Sequence, residues 1–302
     1  MRGAYKLQEE CDKAGIKALH GIEFYICDNI ERKGLTEEEK KEAVVGIDGK
    51  AEQKKAKKAL EEKLGVNKRY HITAWAMNNE GLRKLYRLSS LGWDEGYYYK
   101  PRIDLDLLER YNSGILLGSG CIGSILNDAI HNKQILRAEK LLDILCGTFG
   151  DRLYLEIMPH EFERQIATNN EIVRIHRKYG NKLIATQDSH YCSEDDIRFH
   201  EVMLAMNTQS KLSDEDRFKF EGDSYWYKTR KEMKDSFNSH GIDKKYILDS
   251  LNNTIELADR CEAKIEIDTL KYLLPNVHIQ IGRAAGMARG RARWTEQRVR
   301  HQ

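Results

Sequence analysis

An α/β architecture is predicted for this 302-residue sequence by two observations. Short runs rich in β-forming residues alternate with longer stretches of helical period, and most of the short runs are apolar on both faces. A third observation sets the scale. Residues of hydrophobic type make up 40% of the chain, with 15 Tyr among them, enough for a sizeable core in one large domain or two small ones.

The strand candidates are 18–26 (ALHGIEFYI), 70–76 (YHITAWA), 114–118 (GILLG), 152–157 (RLYLEI) and 182–186 (KLIAT). Apolar character on both faces predicts strands buried in a parallel sheet or barrel. Helical stretches lie between most of them, at 79–91, at 121–149 with a break near Asn132, and at 161–179. Thr36 with Glu39, and Thr229 with Glu232, have the spacing of a capping box, in which each side chain satisfies the other residue's free amide. Ser193 followed by Glu194, Asp195 and Asp196 supplies a helix cap with acids at the positive helix end. Residues 31–68 form a charged helical insertion around a Gly-Ile-Asp-Gly turn at 46–49, and its KKAKKALEEK run reads as a solvated helix face.

No run approaches the roughly 20 apolar residues of a membrane helix. The opening MRGAYKLQEECDK lacks the apolar centre of a secretory signal, so the chain is expected to be cytoplasmic, with no membrane partner. The six Cys are scattered without a CxxC pair, which excludes a zinc ribbon or disulfide framework and predicts free thiols. Net charge is +2, but the segment 279–302 alone carries six Arg, no Lys and one Glu. The remainder is mildly acidic, so bulk charge makes no case for nucleic-acid binding. The Gly-, Ala- and Arg-rich tail at 279–302 reads as a disordered extension or an out-of-frame ending in preference to an RNA-binding arm.

Metal-capable side chains fall at the strand candidates. Glu23 lies in GIEFY, His71 opens YHITAWA, Cys121 follows a strand in GSGC, and Asp188 and His190 follow KLIAT as Gln-Asp-Ser-His. Groups at strand ends of an α/β barrel converge on one rim. A mixed carboxylate, imidazole and thiolate set suits zinc or another borderline transition metal better than calcium. Such ions activate water and stabilise phosphoesters in hydrolysis. Each residue also has a bland reading: Glu23 as an exposed strand residue, His71 as a core histidine, Cys121 as packing, Asp188 as a helix cap. Their joint placement favours the metal, and His160 in MPHEF is a sixth candidate. Gly118-x-Gly120-x-x-Gly123 matches a dinucleotide fingerprint by letter, but lacks an acidic ribose partner at the end of a second strand.

The segments AGIKALHGIEFYI, YHITAWAMNNEGLRKLYRLSSLG, GYYYKPRIDLDLLERY, GILLGSGCIGS, LIATQDSHY, HEVMLAMNTQSKLSD, FEGDSYWYKTRKEM and NTIELADRCEAKIE stand in the order seen in the PHP domain of DNA polymerase III alpha subunits. The chain resembles that domain over 1–278, including a helical segment at 229–278 that leads toward the polymerase palm. The resemblance implies a distorted β/α barrel holding up to three metal ions, with Glu23, His71, Cys121, Asp188 and His190 as ligands. It implies zinc, or another divalent metal such as manganese or iron, as cofactor.

The family's H-x-H strand and T-D-H motif are not present, and Met1–Tyr5 read as the residues that follow T-D-H. The expectation is therefore an incomplete barrel lacking its first strands, and a half-supplied metal shell that binds weakly. It is expected to be a piece of a replicative DNA polymerase, from a bacterium, a phage or a split gene. Its partners would be the rest of the alpha chain or a complementary fragment, with DNA reached through the whole polymerase. Metal-dependent 3′–5′ exonuclease chemistry belongs to the complete domain in some members. A stand-alone phosphoesterase and a non-catalytic scaffold are the alternatives, and the KPRID and FKFEGDSYWYK segments favour the polymerase branch over the former.

Overall fold

The computed structural model describes residues 3–66 and 68–265. Residues 266–278, the end of the 229–278 helical segment singled out above, and the Arg-rich tail at 279–302 lie outside the described residues. Five strands form one sheet in sequence order: β1 (Gly21–Ile26), β2 (Tyr70–Ala76), β3 (Ile115–Gly118), β4 (Leu153–Ile157) and β5 (Lys182–Ala185). All five strand candidates became strands, 70–76 with its bounds unchanged and the other four trimmed by one to three residues. Among the described residues the sheet is open, a barrel-like arrangement without closure.

The expectation of strands buried in a parallel sheet or barrel is corrected for the first part of the sheet. β1 and β2 are antiparallel, as are β2 and β3, whereas β3–β4 and β4–β5 are parallel. The burial pattern explains the difference. β2 alternates strictly between buried and half-buried residues, and β1 carries the exposed Glu23, while β3 and β4 are buried at every position. β2, covered on one face, pairs antiparallel on both of its edges, whereas β3, β4 and β5, largely covered on both faces, pair parallel with one another through crossover helices.

The helices are α1 (Ala4–Ala14), α2 (Glu37–Glu42), α3 (Lys50–Leu64), α4 (Asn79–Asp94), α5 (Leu105–Arg110), α6 (Ile125–His131), α7 (Ile135–Phe149), α8 (Glu163–Tyr179), α9 (Ile197–Asn207), α10 (Arg230–Ser236) and α11 (Lys244–Arg260). Leu82, Leu85, Leu88 and Leu91 recur at helical spacing and bury one face of α4 against the sheet, while the Asn78 side chain caps its start at the Gly81 amide. Thr36 and Thr229 form complete capping boxes at α2 and α10. α2 and α3 bury none of their residues.

Sequence patterning missed α1. Its only buried residues are Gln8 and Cys11, so no apolar stripe announces it. Local charge pairs such as Lys6–Glu10 at 2.7 Å support it, and Gln8 ties it to His20 at 2.8 Å.

One face of the sheet packs Phe24, Ile72, Leu117, Leu155 and Leu183 into the main core. The opposite face carries a smaller cluster of Leu116, Tyr154, Ile184, Leu257 and Cys261, with Trp75 against it. The candidate metal residues of β1 and β2 share this second face.

His240 is buried beside Phe237, and its Nδ1 meets the Asn169 amide nitrogen at 2.9 Å. Burial pulls its pKa down to about 4. The unfolded chain, with a histidine near 6.5, therefore takes up this proton first as pH falls. The neutral ring's contribution is present above about pH 6.5 and is lost as pH drops toward 4. Denaturant titrations at pH 7 and pH 5 should show the wild type losing about 2 kcal/mol more over this interval than His240→Gln. Equal losses in the two proteins would refute the assignment.

Candidate metal centre

The antiparallel pairing of β1, β2 and β3 gathers the metal-capable groups. Register places Glu23 opposite Thr73 and His71 opposite Tyr25. Residues two apart share a face, so Glu23 and His71 are diagonal neighbours on the side away from the main core. A one-residue slip would turn both into that core. β3 runs antiparallel to β2, with Gly118 opposite Thr73, so the loop after β3 emerges beside the start of β2.

That loop, Ser119–Gly123, delivers Cys121. Gly120 adopts a left-handed φ of +80°, and a Cβ there would lie 3.0 Å from the His71 carbonyl oxygen. The His71 amide donates to the Gly123 carbonyl at 3.0 Å, and the Asn127 side chain donates to the Cys121 carbonyl at 2.8 Å. Ser124 then caps α6 by accepting from the Asn127 amide at 3.1 Å. The glycines that resemble a dinucleotide fingerprint thus serve to fold a cysteine against a histidine.

His71 Nδ1 lies 2.8 Å from Glu23 Oε1 and 3.5 Å from Cys121 Sγ. One ligand atom from each of the three residues lies within 4.8 Å of the other two. The Glu23 hydrogen bond raises the His71 pKa against the opposing effect of burial, and the Glu23 and Asp188 charges add to the rise. Burial pushes the Cys121 thiol well up, and Asp188 and Glu23 push it further. Carboxylates beside the thiol and the imidazole contribute to both shifts, on top of burial at Cys121. A cation among them would reverse both, so the donor set fits a divalent transition ion.

Asp188 and His190 sit at the edge of this group. Asp188 has a left-handed φ of +49°, a conformation Asp tolerates better than most side chains. It lies 3.4 Å from His190 Nε2. Burial favours protonating Asp188, but the His190 hydrogen bond and the nearby His160 and His71 outweigh it and hold its pKa below the usual range. The His190 ring packs against Phe220 and Tyr225, with centroids 4.6 and 5.7 Å away. Its amide donates to the Tyr225 carbonyl at 2.8 Å, and Gln187 exchanges two hydrogen bonds with Lys228. The Gln-Asp-Ser-His loop is thus laced to residues 225–228. Structure therefore brings Glu23, His71 and Cys121 within mutual ligand reach, sets Asp188 beside them, and joins His190 through Asp188.

His160, the sixth candidate, is 2% exposed and lies under Tyr225 at 4.2 Å between centroids. Neither ring nitrogen has a well-formed hydrogen bond, and burial lowers its pKa to about 4. It faces the Asp188–His190 side of the group and lies apart from the three clustered ligands.

Sequence reasoning overlooked Glu156, which is 3% exposed on β4. It accepts hydrogen bonds from the Gly120 amide at 2.8 Å, the Thr186 hydroxyl at 2.8 Å and the Thr73 hydroxyl. Burial raises its pKa. The signal was legible: a lone carboxylate inside the otherwise apolar strand LYLEI.

The PHP domain family matches residues 1–160, more than half of the sequence and a span that includes Glu23, His71 and Cys121. The chain belongs to the PHP domain family. PHP domains are metal-dependent, and the Glu23–His71–Cys121 group is a possible metal site within this one. The chain is similar to the DNA polymerase III subunit alpha of Borreliella burgdorferi, at 31% identity over 92% of this chain and 21% of that protein. The corresponding Thermus aquaticus protein is 33% identical over 71% of this chain and 17% of its own length. The Aquifex aeolicus protein is 28% identical over 92% of this chain and 22% of its own length. The PHP chain thus spans about a fifth of the length of the curated relatives it matches. Among the described residues, no helix is long and apolar enough to cross a membrane.

Proposed function

We propose that this chain is the PHP-domain portion of a replicative DNA polymerase III alpha subunit, carrying a metal centre for phosphoester hydrolysis. The observation that carries the proposal is the Glu23–His71–Cys121 constellation, with all three ligand atoms within 4.8 Å, in a chain similar to polymerase III alpha subunits. Glu23, His71 and Cys121 would hold one ion, with Asp188 and His190 as further ligands beside it. Zinc suits the mixed donor set first, with manganese or iron as alternatives. When bound, such an ion polarises a phosphoryl oxygen and lowers the pKa of bound water.

The chain's own residues supply the rest. The His71 imidazole, whose pKa the Glu23 hydrogen bond raises, would bind an ion only as the neutral ring, so its affinity should fall as pH drops. Asp188, whose pKa the His190 hydrogen bond helps hold low, would be an ionised ligand whose second oxygen would accept a hydrogen bond from an attacking water. A 3′ nucleotide of DNA is the substrate this reading favours, with the remaining polymerase chain as partner and the cytoplasm as its place of action.

Titration with cobalt(II) tests the centre. One equivalent should bind, with a thiolate-to-cobalt absorption band that Cys121→Ser abolishes. Four-ligand structural zinc sites contribute about 10–16 kcal/mol, so three donors imply a Kd on the order of a micromolar. Chelator-sensitive release of nucleotides from single-stranded DNA would extend the result to exonuclease chemistry. Absence of binding, or binding that ignores Cys121, would overturn the proposal.

A further inference from the structure

Glu156 is hydrogen-bonded to none of the three clustered residues, yet every group its carboxylate binds lies close in sequence to a candidate ligand. Thr73 is two residues from His71, Gly120 adjoins Cys121, and Thr186 is two residues before Asp188. Those donors come from β2, from the loop after β3 and from the end of β5, three segments that meet only in the folded sheet. The Glu156 amide donates to the Ser119 hydroxyl at 2.8 Å, fixing the same loop a second time. Gly118 leaves the room this needs, because a Cβ there would fall inside the Glu156 carboxylate and the Thr73 hydroxyl.

All three partners are uncharged donors, and a carboxylate is an acceptor-only group with two oxygens. A buried polar group is retained at such a position when each bond is satisfied, and removing it leaves the Gly120 amide without a partner. The arrangement matches the general rule that groups behind metal ligands orient them.

We propose that Glu156 is a positioning residue, a carboxylate hub that fixes the Cys121 loop, β2 and the Asp188 turn in the geometry a metal ion requires. The proposal rests on the metal-centre reading for its purpose, but not for its geometry. Glu156 holds the Gly120 amide, and through it the Cys121 side chain stays packed against His71.

The test compares Glu156→Leu, which has similar bulk and no acceptor, with Glu156→Gln, which keeps an oxygen for the Gly120 amide. Both remove the negative charge that acts on Cys121, so a difference between them reports geometry. Two readouts are taken on the folded chain: cobalt(II) affinity, and the rate of Cys121 alkylation by N-ethylmaleimide, followed by mass mapping. Cys27 and Cys261, buried elsewhere at 4% and 2% exposure, are internal controls.

Glu156→Leu should lower cobalt affinity by about 10–100-fold. It should speed Cys121 alkylation on the order of tenfold over Glu156→Gln, with Cys27 and Cys261 unchanged. Equal behaviour of the two variants, or equal acceleration at all three cysteines, would overturn the proposal. If wild type binds no cobalt, the metal-centre reading fails, and the alkylation contrast alone decides the role of Glu156. If Glu156→Leu does not fold, Thr186→Val decides: faster alkylation confined to Cys121 supports the hub, and an unchanged rate refutes it.

Discussion

His71→Ala should lower the chain's affinity for zinc or cobalt by on the order of 100-fold or more. The imidazole is the common member of the cluster, with Nδ1 facing both the Glu23 carboxylate at 2.8 Å and the Cys121 sulfur at 3.5 Å. Removing it leaves a carboxylate and a thiol with no neutral donor between them. Structural zinc sites of four ligands contribute about 10–16 kcal/mol, so one ligand accounts for about 3 kcal/mol, or two powers of ten in Kd. Competition against a chromophoric chelator measures the change directly. Stability in the absence of metal should move far less, because His71 is half-buried and outside the main core. An affinity within threefold of wild type would show that His71 is not a ligand.

Gly118→Val should prevent folding, or destabilise the chain by more than 3 kcal/mol. An added Cβ at position 118 would occupy the space of the Glu156 carboxylate and the Thr73 hydroxyl. Overpacking a tight interior costs about 1–3 kcal/mol by itself. Displacing a buried carboxylate from its donors adds the desolvation cost of a charge left without partners, about 3–5 kcal/mol where such groups have been broken. Unfolding of Gly118→Val in urea, followed by circular dichroism, reads the sum. Gly147 is a suitable control, since nothing lies within 4 Å of a Cβ there and its φ is not positive. Gly147→Ala should be neutral or mildly stabilising, as expected for Gly to Ala within a helix. A Gly118→Val protein as stable as wild type would mean that Glu156 is free to move aside.

Much of the fold was legible because its signals are local. Five apolar runs became five strands, the break near Asn132 separates α6 from α7, and the Thr36 and Thr229 boxes cap the helices they precede. At Ser193 the bonds run the other way from a side-chain cap: its amide and hydroxyl both donate to the Asp196 carboxylate, at 3.0 and 2.9 Å, on a short 3-10 turn before α9. The missed helix α1 shows the limit of patterning. Its stability rests on charge pairs and on Gln8 reaching His20 and the Ile265 amide, contacts without a period.

The sequence by itself determined which residues carry metal-capable side chains and that they fall in or just after strand candidates, because side-chain type and strand composition are properties of short segments. Strand direction, and with it the grouping of the candidate ligands, was decided by tertiary structure. Antiparallel pairing through β2 puts Cys121 against His71 across 50 residues of chain. The same folding surrounds Glu156 with donors from three segments, turning a polar residue in an apolar strand into a satisfied one. Hydrogen-bond satisfaction and register are relations between distant segments, and neither has a spacing that a single sequence displays.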